Sequence, residues 1–153
     1  MGKDYKPIIG ISMGDPAGIG PEICLKALTK KEVTDMCRPL IIGNIRALDA
    51  ASDFTKIGVK MRSVKSVDEA DFKGSAINVF NLNHTDLTKI KYGKISEEAG
   101  NAAYKAVEKV IQLALDNKID ATVTGPINKE SINLAGYHYS GHTEIYADLT
   151  NSP

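Results

Sequence analysis

Short apolar runs rich in Ile and Val alternate along this chain with longer stretches whose apolar residues return every three or four positions. The first run, KPIIGISMG at 6–14, is bounded by Pro7 and Gly14 and predicts a buried strand. The cluster DPAGIG reads as a turn, and Pro21 then suits the first position of a helix over 21–33. RPLIIGN at 38–44 predicts a second buried strand, and 45–58 a helix ending near Gly58. VKMRSVKS at 59–66 alternates apolar and polar residues, as a half-exposed strand does, and AINVFNL at 76–82 predicts another strand. The clearest helix follows Ser96, a good N-cap, with Glu97 and Glu98 at the positive end of the helix dipole. Its stripe is Ala99, Ala103, Ala106, Val107, Val110, Ile111 and Ala114, and it is expected to run to about Asn117. DATVTGP at 120–126 predicts a short strand, 128–136 a short helix with Gly136 past its end, and 143–150 the start of one more helix. Strands alternating with helices predict an α/β fold of three layers, αβα, around a largely parallel or mixed sheet. No repeat, linker or internal domain boundary interrupts residues 1–153.

Composition narrows the partners. The 153 residues fit one ordinary domain, and 42% hydrophobic against 25% charged residues describes a globular chain. Nineteen basic residues cancel nineteen acidic ones, which removes the electrostatic case for nucleic acid or an anionic membrane. A small anion can still bind through local geometry. No apolar run approaches the roughly 20 residues of a membrane span, and the N-terminus lacks the apolar core of a secretory signal. Cys24 and Cys37 form neither a CxxC pair nor a disulfide framework, so they read as reduced thiols in a cytoplasmic protein, Cys24 on a buried helix face. His84, His138 and His142 do not stand at metal-ligand spacing with one another, because Gly141 interrupts the last pair. A metal site made by this chain alone is not expected.

Three stretches carry possible chemistry. GDPAGIGPE, Gly14 to Glu22, joins a strand to a helix, where ligands bind in open α/β sheets. It is neither a dinucleotide fingerprint, since Ile23 replaces the third glycine, nor a P-loop. It serves equally as a plain tight turn. In TGPINKE, Thr124 to Glu130, Lys129 opens a helix, either pairing with a phosphate or carboxylate or simply solvated at the surface. In SGHTE, a helix starting near Thr143 leaves backbone N–H groups for an anion, unless the Thr143 hydroxyl caps them. His142 beside it offers a donor in either tautomer, or stands merely exposed in a capping turn. Each stretch lies at a strand end or helix start, so together they point to a small anionic ligand at one edge of the sheet.

GISMGDPAGIGPEI, YGKISEEAGNAAYKAVEKVIQLAL and IDATVTGPINKESINLAGYHYSGHTEIYADLT, in that order, resemble the 4-hydroxythreonine-4-phosphate dehydrogenases of vitamin B6 synthesis. The first block also resembles the opening of isocitrate and isopropylmalate dehydrogenases, with Pro16 and Ala17 lengthening the turn. The resemblance implies their fold, incomplete here, and NAD-dependent oxidation of the C3 hydroxyl of 4-phosphooxy-L-threonine. The resulting 3-keto acid loses CO2 to give 3-amino-2-oxopropyl phosphate. A dehydrogenase of a phosphorylated four-carbon sugar acid is the alternative within the class, and a non-enzymatic phosphometabolite-binding module the alternative outside it. By position, His142 and Thr143 match the substrate-binding pair, with Lys129 and Asp15 as possible support. Asn128 stands where some members have His and is assigned nothing. The resemblance assigns no catalytic residue, cofactor-binding residue or metal ligand in this chain. It implies NAD and a divalent metal (Zn, Mg or Co) in a full-length homodimer, with this chain as the N-terminal portion of a longer two-domain enzyme, inactive and without cofactor by itself.

Overall fold

The computed structural model describes residues 5–152; Met1 to Asp4, where the secretory-signal reading begins, lie outside the described residues. Five strands form one sheet: β1 (Ile8–Ser12), β2 (Arg38–Gly43), β3 (Met61–Val64), β4 (Ile77–Asn81) and β5 (Ala121–Thr124), in the order β3-β4-β2-β1-β5. Every pairing is parallel, with Ile11 opposite both Ile41 of β2 and Val123 of β5. The sheet is therefore wholly parallel among the described residues, one of the two options the sequence left open.

Helices cover both faces because each strand-to-strand crossover must pass over one of them. On one face α1 (Gly20–Leu28) and α3 (Ile45–Thr55) bury Cys24, Leu25 and Leu48 against Met13, Ile41 and Val79. On the other, α4 (Glu97–Leu115) lays Val107, Val110 and Ile111 over Leu40 and Ile42. Two shorter helices, α5 (Lys129–Leu134) and α6 (His142–Thr150), join that layer through Ile132 and Ile145. The Ser96 hydroxyl caps α4 as expected, accepting from the Ala99 N–H at 3.2 Å. The alanine stripe is buried except at Ala114, which is only partly covered.

The sequence joined 21–33 into one helix, but the chain breaks it. Thr29 turns its hydroxyl back onto the Lys26 carbonyl at 2.8 Å, and Lys30 is extended. A separate short helix, α2 (Lys31–Met36), follows with no buried residue, because its charged sequence offers no apolar stripe to the core. α3 likewise stops before Gly58, with Lys56 in the left-handed conformation. Short 3-10 turns at 67–69 and 87–89 had no periodic signal. No helix among the described residues is long and apolar enough to cross a membrane.

Candidate functional site

β1 feeds α1 on one face of the sheet, and its neighbour β5 feeds α5 on the other. The chain thus leaves the sheet in opposite directions from adjacent strands, the topology at whose carboxyl ends ligands bind in open parallel sheets. Gly14 and Pro126 join the two turns that leave these strands. Gly14 has φ +78°, and a Cβ there would lie 2.4 Å from the Pro126 carbonyl oxygen, so the position requires glycine. The Asp15 N–H donates to that same oxygen at 2.8 Å, and the Gly125 N–H donates to the Ser12 carbonyl at 2.8 Å.

Asp15 is 7% exposed, and its carboxylate accepts from the Ala17 N–H at 2.7 Å, closing an Asx turn. Burial pushes its pKa up, and the Ala17 hydrogen bond opposes this in part. The carboxylate is engaged in shaping the turn between β1 and α1.

α6 begins at His142, one residue before the expected start. Gly141 is its N-cap and supplies no side chain to the helix end. Thr143 is therefore the second helical residue, exposed, and not the cap. Glu144 reaches back to Ser140, accepting from both its N–H, at 2.7 Å, and its hydroxyl. Those bonds, with a smaller contribution from the nearby Lys129 ammonium, hold the Glu144 carboxyl below its usual range. Lys129 opens α5, whose own cap is Asn128, accepting from the Ser131 N–H at 2.9 Å. The Lys129 Cε lies 3.8 Å from where a Gly141 Cβ would stand, so the ammonium stem reaches the start of α6.

The His142 ring is partly covered, and its Nε2 is buried without a hydrogen-bond partner. Burial lowers the imidazole pKa, and the nearby Gly125 backbone, which the ring approaches without a well-formed hydrogen bond, acts the other way. The neutral ring therefore prevails near pH 7, and it carries one N–H donor and one acceptor. His142, Thr143 and Lys129 thus share one corner, and the Gly125-Pro126 turn connects it to the Asp15 loop. An uncapped helix start and a lysine are groups that can attract an anion, and the Glu144 carboxylate stands beside both.

The sequence passed over three further side chains. Ser12, at the end of β1, has a fully buried hydroxyl with no partner; a serine closing an apolar run was the only signal. Phe54 and Tyr92, far apart in sequence, line one apolar cavity of about 290 Å³ against Gly18, Ile19 and Glu22 of the first turn and α1. No local pattern pairs them. Among the described residues no group of three or more His, Cys, Asp and Glu side chains suits a metal ion, so the metal implied by the resemblance has no donor set here.

The family model described as "Pyridoxal phosphate biosynthetic protein PdxA" matches residues 35–153. A Clostridium botulinum protein provisionally named D-threonate 4-phosphate dehydrogenase is 43% identical over 147 residues, which are 96% of this chain and 44% of that protein. The D-threonate 4-phosphate dehydrogenase of Cupriavidus necator is 41% identical over 151 residues, 99% of this chain and 45% of that protein. The crystal structure of a 4-hydroxythreonine-4-phosphate dehydrogenase from Burkholderia phymatum superposes with a TM-score of 0.93 at 37% identity, covering 98% of this chain and 45% of its own. The chain spans less than half the length of these relatives.

Proposed function

The chain belongs to the family of the pyridoxal phosphate biosynthetic protein PdxA, and on that premise we propose that it is the substrate-gripping part of an NAD-dependent dehydrogenase acting on D-threonate 4-phosphate. The sequence favoured 4-phosphooxy-L-threonine and kept the phosphorylated four-carbon sugar acid as the alternative. The curated relatives carry the sugar-acid name, and the solved structure carries the hydroxythreonine one. The curated relatives are also the more identical to this chain, and that difference moves the proposal to the sugar acid.

The observation that carries the reading is the meeting of His142, Thr143 and Lys129 at the uncapped start of α6. In this reading the first N–H groups of α6 and the Thr143 hydroxyl take the phosphate. Lys129 adds positive charge, and Ser140 holds the Glu144 carboxylate aside. The His142 imidazole fixes the orientation through a hydroxyl or phosphate oxygen. Asp15 acts as a positioning residue through its turn.

With NAD as the oxidant, electrons and protons balance. The C3 hydroxyl loses its proton and C3 loses a hydride, leaving a 3-keto acid. Cleavage of C1–C2 then releases CO2, and a proton returns to C2. From the sugar acid this leaves dihydroxyacetone phosphate; from the threonine phosphate it leaves 3-amino-2-oxopropyl phosphate. NAD, when bound, accepts the hydride. The cavity beside Phe54 and Tyr92 has room for one of its rings. The full-length protein is proposed to work as a homodimer.

The test is steady-state kinetics of the full-length protein on both phosphates, with and without His142→Ala. Preference for D-threonate 4-phosphate is expected, with a loss of more than about tenfold in kcat/KM for the variant, about 1.4 kcal/mol of binding to the transition state. Preference for 4-phosphooxy-threonine would overturn the substrate. Unchanged kinetics in the variant would remove His142 from the site.

A further inference from the structure

His142 and Tyr146 stand one turn apart in α6 and so share a face of the helix. That face lies on β5. The His142 ring approaches the Gly125 backbone just past the end of the strand, and the Tyr146 hydroxyl donates to the Thr122 hydroxyl within the strand at 2.9 Å. α6 therefore runs back along β5, its first turn at the carboxyl end of the strand and its second tied to the strand itself. Ile145 between them is fully buried in the layer of α4. Its burial sets how deep α6 sits but gives little control of its slide along the strand, because apolar contact has no direction. A hydrogen bond weakens steeply as its angle closes, so the bond from Tyr146 to Thr122 supplies that control.

The sheet gives Thr122 a fixed place, opposite Gly10 of β1 in the parallel ladder, and a helix hung on it inherits that register. Packing alone would be served as well by phenylalanine; the hydroxyl is the part of Tyr146 that meets the strand. Burial raises the Tyr146 pKa, and the bond to Thr122 opposes this in part, so the phenol stays neutral across the range in which histidine titrates. We propose that Tyr146 is a positioning residue for the substrate corner: through Thr122 it sets the slide of α6 along β5, and with it where the His142 ring and the first N–H groups of the helix stand. The consequence for substrate rests on the proposed dehydrogenase; the hold on the His142 ring does not.

The test uses Tyr146→Phe and Thr122→Val in the full-length protein. Each keeps the shape of its side chain and removes one end of the bond, and circular dichroism checks folding. The His142 titration, read by NMR, should move up toward the ordinary histidine value of about 6.5 in both variants, as the ring comes away from the Gly125 turn. Lys129 and Glu144, the charged groups flanking the same helix start, are left in place. The KM for D-threonate 4-phosphate should rise about fivefold, the worth of one ordinary hydrogen bond, with kcat within about twofold of the parent. The double variant should be no worse than either single one, since both remove the same bond, and Thr122→Ser, which keeps the hydroxyl, should leave both readings at the parent values. An unmoved His142 titration in both single variants would overturn the proposal, and the dehydrogenase reading would stand if His142→Ala still lowered kcat/KM. Equal shifts in Thr122→Ser and Thr122→Val would overturn it too, since the strand and not the bond would then be responsible. A shifted titration with KM unchanged would overturn the role in substrate binding. A shifted titration in a protein that oxidises neither phosphate would uphold the hold on His142 while the dehydrogenase reading fell.

Discussion

Gly100→Ala sets two ordinary rules against each other, and the structure decides between them. Gly100 lies inside α4, where alanine is intrinsically favoured by about 1 kcal/mol. A Cβ at this position, however, would lie 1.9 Å from the Ser131 carbonyl oxygen, 2.1 Å from its carbon and 2.6 Å from the Ile132 nitrogen. Real Cβ contacts do not fall under 3.0 Å, so α5 would have to retreat by about 1.1 Å. The obstacle is backbone and cannot rotate away. Overpacking of this kind costs typically 1–3 kcal/mol, and a rigid obstacle belongs at the upper end. Against the propensity gain, the net loss is about 2 kcal/mol. With a urea slope near 2 kcal/mol per molar, the unfolding midpoint should drop by about 1 M. Circular dichroism in urea reads this directly. Gly18→Ala is the control, since its nearest neighbour would be 3.7 Å away. A Gly100→Ala midpoint equal to or above the parent's would refute the close packing of α4 on α5. The same variant should also weaken substrate binding, because α5 carries Lys129 to the start of α6.

Two further outcomes follow from burial. The His142 resonance in the free protein should titrate below the ordinary histidine value of about 6.5. The fold thus favours the neutral ring, and its contribution to stability is present above about pH 6.5 and is lost as pH falls through the lowered value. His84 is lowered too, by burial first and then by Lys105, so acid weakens the protein at both sites. A His142 midpoint at or above the ordinary value, read by NMR, would contradict the buried ring. Cys24 is 3% exposed, and burial pushes its thiol up to about 12, so a disulfide reagent should label Cys37 well before it. Equal labelling rates in the native protein would place Cys24 outside the core.

Much of the fold is local and was legible. Apolar runs such as PLII and the alanine-valine stripe of α4 state which residues must leave water, and their spacing states the element that lets them do so. Ser96 and Pro21 mark helix starts because capping and a missing N–H act within one turn. The break after Leu28 was missed because the Thr29 side-chain bond competes with helix propagation without changing the apolar period.

What His142, Thr143 and Lys129 are chemically could be read from their letters, and the block around them resembled a known family. That Lys129 reaches Gly141, that His142 Nε2 is left without a partner, and that Phe54 faces Tyr92 depend on which strands are neighbours. Periodicity cannot supply that. It records which face of an element is dry, and says nothing of the partner that keeps it dry. The order β3-β4-β2-β1-β5 is chosen by crossovers and by the packing of whole helices, and only that choice sets β5 beside β1 and gathers distant loops at one end of the sheet.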